Sequence, residues 1–228
     1  MSTARSHATK PVVIFGNGEI AEVAEYYFRN DQNRPVACFV VDDEYANDSV
    51  FCNKPLVPWS ELAQIAPTGG HEVFVAVGYS QVNRVRERIF QIVERAGYSL
   101  TSLVSSKAVI PDGFTMGKNC MVLEHNTVQP FTTIGHNTFL WSGNHIGHHV
   151  AIGSNVFISS HCVISGGVSV GDNTFFGVNA SVGDHVRIGS HVVVGAGATV
   201  LENLQDGSVV IANRSRTASI TSDQLPGF

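Results

Sequence analysis

Between Ile110 and Val200 a large apolar side chain returns at every sixth position: Ile110, Met116, Val122, Val128, Ile134, Leu140, Ile146, Ile152, Ile158, Ile164, Val170, Phe176, Val182, Ile188, Val194 and Val200. Glycine follows many of them, as at Gly117, Gly135, Gly147, Gly153 and Gly171, and the residue two places before the next apolar one is small or β-branched, as at Cys120, Thr132, Val150, Val156 and Cys162. A period of six fits neither a helix nor a strand buried on one face by alternation. It predicts a solenoid with three short strands per coil, in which residues eighteen apart stack and every sixth side chain fills a dry axis.

Upstream the pattern changes. Val12–Phe15 reads as a buried parallel strand, residues 19–28 as a helix, Val36–Val41 as a second strand, residues 59–66 as a short helix and Val73–Val77 as a third strand. Residues 81–97 carry Val82, Val85, Ile89, Ile92 and Val93 on one helical face, and Leu100–Leu103 forms a last short strand. Strands alternating with helices predict a parallel sheet covered by helices. The domain reading is a tail over 1–10, a Rossmann-like α/β module over 11–103, a repeat domain over 104–212 and a second tail over 213–228. Val104–Ile110 leaves no room for a flexible linker, so the two domains are expected to pack rigidly.

Bulk properties narrow the classes. The 228 residues carry a net charge of −5 with scattered Lys and Arg, so no basic patch points to nucleic acid. No apolar run is long enough for a bilayer, and the first residues lack the apolar core of a secretory signal, which predicts a cytoplasmic protein. Cys38, Cys52, Cys120 and Cys162 form no C-x-x-C pair, which favours free buried thiols over a metal or disulfide framework.

Two stretches bear chemistry. Gly16, Gly18 and Ala21 form a G-x-G-x-x-A turn between strand and helix, where backbone N–H groups and a helix N-terminus can approach a diphosphate. Asp42 and Asp43 close the next strand, in place to accept hydrogen bonds from a ribose or a base. About a hundred residues is half of a doubly wound dinucleotide fold, so a mononucleotide or nucleotide-sugar fits better than NAD. The second stretch is His145, His148 and His149 in one junction of the repeat. Histidine suits proton transfer near neutral pH. One coil beyond His148 stands Gly166, so the expected neighbour of the imidazole is a notch without a side chain, admitting a thin acyl carrier and exposing a backbone N–H to its carbonyl. Asn126 and Asn144, also eighteen apart, are expected to stack as an amide ladder. His125, His161, His185 and His191 share the fourth hexad position and read as polar turn residues.

The order of a small α/β module and a hexapeptide repeat, with Gly16-Asn17-Gly18-Glu19, Val41-Asp42-Asp43, Val77-Gly78, Asn83-Arg84 and the run from Ile146 to Gly153, resembles the bacterial sugar O-acyltransferases of the sialic acid O-acetyltransferase type. It is most similar to members that N-acetylate nucleotide-linked 4-amino-4,6-dideoxysugars. The resemblance spans about residues 11–212. It implies a left-handed parallel β-helix, a homotrimer with active sites between subunits, acetyl-CoA as cosubstrate and a nucleotide-activated amino sugar as acceptor, without metal. By position it assigns Gly16 and Gly18 to the phosphates, Asp42 and Asp43 to the nucleoside and Gly78 to the substrate pocket. His148 becomes the general base, with His145 as a reserve and His149 where relatives often carry an orienting carboxylate. Phe157, Gly166, Val178 and Ala196 would line the CoA site. The ending Gly207–Arg216 departs from the family's pattern, and Arg214 or Arg216 either meets a CoA phosphate or belongs to a solvated tail.

Three other readings use the same residues. O-acetylation of a sialic-acid-type acceptor needs the same base. A γ-carbonic-anhydrase-like zinc site would pair His149 with His185, two coils away, but its third ligand falls on Ser190, with His191 one residue off. A non-catalytic scaffold leaves the three clustered histidines unexplained.

Overall fold

The structure is a computed structural model that describes residues 10–213, 215, 219 and 222–224. Arg214 and Arg216 lie outside the described residues. The N-terminal module runs β1 (Val12–Phe15), α1 (Glu19–Asn30), β2 (Val36–Val41), β3 (Val50–Phe51), β4 (Lys54–Pro58), α2 (Leu62–Ile65), β5 (Glu72–Val75), α3 (Arg84–Arg95) and β6 (Ser99–Leu100). These strands form one sheet in the order β3-β4-β2-β1-β5-β6, parallel except for the β3–β4 hairpin. The hairpin follows no strong apolar alternation: Val50 is exposed, and the turn Cys52–Asn53 is left-handed in both residues.

Beyond it the chain winds into a three-sided prism of two-residue rungs, each paired in parallel with the rung eighteen residues away, except that the last rung, Val209–Val210, lies sixteen residues past its partner. One side stacks Thr127, His145, Val163, Ser181 and Thr199, and a second stacks Thr115, Thr133, Ala151, Ser169 and Arg187. The third stacks Leu103, Met121, Phe139, Phe157, Phe175, Val193 and Val209. Leu103–Val104 thus pairs with prism residues, while Ser99–Leu100 pairs with β5. Inside the prism, Val122, Leu140, Ile146, Ile158, Ile164, Phe176 and Val194 are buried in one apolar column.

The outward residues of the third side explain how the two parts join. Met121, Phe139 and Phe157 are buried together with Phe28, Phe39 and Phe74, so one face of the sheet, α1 and this side of the prism share a core. Phe74 stacks flat on Phe139, with centroids 5.7 Å apart and planes 10° apart. The opposite face of the sheet is covered by α2 and α3 through Leu62, Ile89 and Val93. All four cysteines are free; burial pushes the thiols of Cys38, Cys120 and Cys162 up to about 11, which leaves them as small apolar core groups at neutral pH. No helix among the described residues is long and apolar enough to cross a membrane.

Candidate active site

A cavity of about 570 Å³ opens where the carboxyl ends of β1 and β5 meet the prism. Gly16, Asn17, Gly18, Gly78 and Tyr79 line it from the module, and Trp141, Phe157, Ser159, Ser160 and Val178 from the prism. A second cavity, about 480 Å³, lies past the end of β2 and is lined by Asp42, Tyr45, Gln81, Arg84 and Arg88. Both include Gly16, Asn17 and Val77, so they adjoin across the glycine turn. Parallel sheets offer their ligand crevice at this end of the strands.

The three glycines are small for different reasons. Gly16 has φ +131°, and a Cβ there would lie 2.8 Å from the carbonyl oxygen of Ala76, so the fold itself demands glycine. At Gly18, the residue that opens α1, a Cβ would meet nothing within 4 Å. At Gly78 it would meet only the tip of Ile20, at 3.4 Å. Nothing in the chain requires Gly18 to be bare; its gap leaves the first turn of a twelve-residue helix open to an incoming anion.

The paired aspartates separate. Asp42 lines the second cavity and its Oδ2 accepts a hydrogen bond from Arg88 Nη2 at 2.6 Å. Asp43 lines neither cavity; its Oδ1 accepts the Ser60 N–H at 3.0 Å and holds the turn after β2 to the start of the next helical segment.

His148 and His149 sit on another edge of the prism, in the turn between rungs His145–Ile146 and Ala151–Ile152. His148 N–H donates to Gln129 Oε1 at 2.9 Å. The Nδ1 atoms of the two histidines are 3.1 Å apart with the rings nearly perpendicular, and the His149 ring packs on Phe131 at 4.6 Å. One Nδ1 must donate and the other accept. When His148 Nδ1–H is the donor, its Nε2 keeps a lone pair. His145 is half-buried on the outer face of the adjoining rung, between Thr127 and Val163.

The notch expected at Gly166 is filled. A Cβ on Gly166 would lie 2.7 Å from His148 Cε1, so the imidazole itself occupies the space left by the missing side chain. The Gly166 N–H donates to Asp184 Oδ1 at 3.0 Å and the Gly167 N–H to the His148 carbonyl at 2.9 Å. Neither amide is free to hold an oxyanion. Gly166 is therefore a seat for the His148 ring, and the backbone donor expected there is taken.

The residues picked out for the cofactor divide between edges. Phe157 and Val178 line the cavity with the glycine turn, and Ala196 lies one coil beyond Val178 on the same edge. Gly166 lies with His148 on the edge at the other end of the rung Val163–Ile164. Tyr79, Trp141, Arg84 and Arg88 are additions made by the structure. Their signal was available in part: Met121, Phe139, Phe157 and Phe175 put large apolar side chains at an outward hexad position, where other sides carry Thr, Ser or His, and this marks a covered face. Among the described residues no group of three His, Cys, Asp or Glu lies close enough to share a metal ion.

Comparison with known proteins agrees with this architecture. The model of the bacterial transferase hexapeptide (six repeats) matches residues 131–166 and 167–202. Among whole structures, perosamine N-acetyltransferase from Caulobacter crescentus, a histidine-to-asparagine variant in complex with CoA and GDP-perosamine, superposes with a TM-score of 0.81 at 27% identity, covering 89% of this chain and 93% of that one. In fold, the chain resembles the hexapeptide-repeat nucleotide-sugar acetyltransferases. The acetyltransferase domain of PglB from Neisseria gonorrhoeae (TM-score 0.77, 21% identity, 88% of this chain and 96% of that one) and WeeI from Acinetobacter baumannii (0.74, 19%, 91% and 99%) share the fold. No curated protein sequence matches the chain.

Proposed function

We propose that this protein is an acetyl-CoA-dependent N-acetyltransferase acting on the amino group of a nucleotide-linked deoxysugar, and that it works as a homotrimer of left-handed prisms. The observation that carries the reading is the division of the site. One edge of the prism presents an oriented histidine; another, beside the α/β module, presents a groove at the strand ends with a glycine turn, an open helix N-terminus and two arginines. A single copy does not join them, and a neighbour turned about a threefold axis brings the His148 edge of one copy to the groove of the next.

In that cleft the nucleoside and diphosphate lie across Asp42, Arg84, Arg88 and the glycine turn, with the sugar in the cavity walled by Tyr79, Trp141 and Phe157. The amine attacks the thioester carbonyl, a C–N bond forms, and His148 Nε2 takes the proton released by the nitrogen. As the C–S bond breaks, the same proton passes to the departing sulfur, leaving an amide and free CoA. The Nδ1 contact to His149 holds the ring throughout. Solvent-excluding walls of aromatic side chains strengthen this polar step.

The test is thiol release from acetyl-CoA with a panel of GDP-, UDP-, dTDP- and CMP-linked amino and hydroxy sugars, with product mass and linkage determined. Turnover with one nucleotide-amino sugar, and trimers in sedimentation, is the expected result. Transfer to hydroxyl acceptors only would replace the N-acetyl reading by O-acetylation; an absence of turnover with every acceptor would overturn both.

A further inference from the structure

Arg86, on the first turn of α3, is fully buried, yet every hydrogen bond it makes is to a neutral oxygen. Its Nε donates to the Asn137 carbonyl (3.2 Å), Nη1 to the Gly78 carbonyl (3.0 Å) and Asn83 Oδ1 (3.1 Å), and Nη2 to the carbonyls of Asn155 (3.1 Å) and Val156 (3.3 Å). The guanidinium lies 4.4 Å from the Phe139 centroid and 5.7 Å from that of Phe157. Burial lowers its pKa to about 9, so it is still protonated at neutral pH. An unpaired buried cation costs stability that an apolar side chain would not.

What the cation touches gives the reason to keep it. Gly78 and Phe157 are opposite walls of the junction cavity, one from the module and one from the prism. Asn83, itself fully buried, ends a run of three left-handed residues, Gln81 (φ +53°), Val82 (+53°) and Asn83 (+66°). A β-branched valine in that region is strained, and such strain persists only where surrounding contacts impose it. Asn83 imposes it through its N–H to the Tyr79 carbonyl (3.1 Å) and its Nδ2 to the Thr174 carbonyl of the prism (3.2 Å). The same turn carries Tyr79, which lines the cavity and whose ring packs on Phe157 and Phe175 with both centroids 4.9 Å away.

We propose that Arg86 is a positioning residue: with Asn83 it fixes the distance between the two walls of the junction cavity and the strained turn bearing Gly78 and Tyr79, and so sets where the acceptor sugar lies along the prism. The inference rests on the nucleotide-sugar reading above for its kinetic consequence, and on geometry alone for its effect on the turn.

Arg86→Lys keeps the charge but has a point of three donors in place of a planar fork of five. Asn83→Gly keeps the left-handed backbone and removes the side-chain links from the turn to Arg86 and to Thr174, leaving the Gly78 carbonyl as the only bond from Arg86 to the turn. Both variants are expected to lower kcat/KM for the nucleotide sugar by about 10²-fold, the effect of misplacing a reactant by roughly 1 Å, with KM for acetyl-CoA unchanged. Both should also speed amide hydrogen exchange over residues 78–83 and leave the hexad amides protected. A purely structural role would lower the melting temperature without moving the ratio of the two KM values. Unchanged exchange over 78–83 together with unchanged kcat/KM in folded variants overturns the inference. If wild-type protein acetylates no nucleotide sugar, the functional reading fails by itself, and the exchange data alone decide: faster exchange at 78–83 supports the positioning role, unchanged exchange overturns it.

Discussion

Two edges of the prism meet the same backbone demand with different side chains. From Gly113 to Gly197 every turn places one residue in the left-handed region, six residues after the last. Along the edge against the α/β module these residues are Asn119, Asn137, Asn155 and Asn173, with φ between +55° and +60°, all buried. Along the His148 edge they are Phe131, His149, Gly167 and His185. Left-handed backbone tolerates Gly, Asn and His, so the backbone does not choose among them. The surroundings choose. Buried, the residue needs a donor and an acceptor that the next coil can match, and the amide offers both on one short planar group. The first three donate through Nδ2 to the Asn Oδ1 one coil on, at 2.7, 2.8 and 3.4 Å in turn. Exposed, an imidazole suffices, and its nitrogens are left for chemistry.

Five substitutions break or sharpen the contrast. The largest effect is expected from His148→Ala, which should lower kcat by about 10²-fold or more with the melting temperature and CoA affinity retained; unchanged turnover would remove His148 as the base. Next is Asn137→Ala on the buried edge, which strands Asn155 Oδ1 and one of the two Asn119 Nδ2 protons and forces a residue with a Cβ, but no polar group, into left-handed backbone. Chemical denaturation should show a loss of about 2–4 kcal/mol, and a loss under about 0.5 kcal/mol would mean that the ladder is ornamental to folding. Gly166→Ala then tests the seat beneath the imidazole: displaced by the new methyl, His148 should lose about tenfold in kcat, near the worth of one hydrogen bond, while thermal unfolding hardly moves. The smallest effects come as a matched pair. His185→Asn should leave stability and activity unchanged within about 0.5 kcal/mol, whereas His149→Asn, equally compatible with its backbone, should cost about tenfold in kcat through loss of its contact with His148. Equal behaviour of the pair would show that His149 is only a turn residue.

The solenoid was legible because its signal is long and strictly periodic: the inward positions read from the chain are the buried column, and the stacking interval of eighteen is the observed register. Turn histidines at the fourth hexad position were legible for the same reason, since His125, His161, His185 and His191 all have φ near +60°. The amide ladder was expected at the wrong place. Asn126 and Asn144 are also eighteen apart, but each turns to backbone: Asn126 Nδ2 donates to the Leu123 and Trp141 carbonyls, and Asn144 Nδ2 to the Trp141 carbonyl while its Oδ1 accepts the Cys162 N–H. Spacing shows which amides stack, and nearby carbonyls decide whether they bond one another. Gly166 misled for a related reason, because a glycine one coil from a histidine looks the same whether the gap is empty or holds the ring. Arg86 was invisible: an arginine between Val85 and Glu87 on an amphipathic helix reads as solvated, and the prism carbonyls that hold it come from residues 137, 155 and 156, more than fifty positions away.

The ladder is anchored at both ends to the N-terminal module. Its first amide takes the N–H of Val75, which fixes the sense of every amide above it, and its last, on Asn173, gives its proton to the Glu87 carboxylate of α3. The module thereby measures off a fixed number of windings, like a gauge clipped to a spring. Splicing in one more eighteen-residue winding between Asn119 and Asn173 would pull that gauge apart, whereas the windings past Asn173 are free to lengthen or shorten without disturbing it.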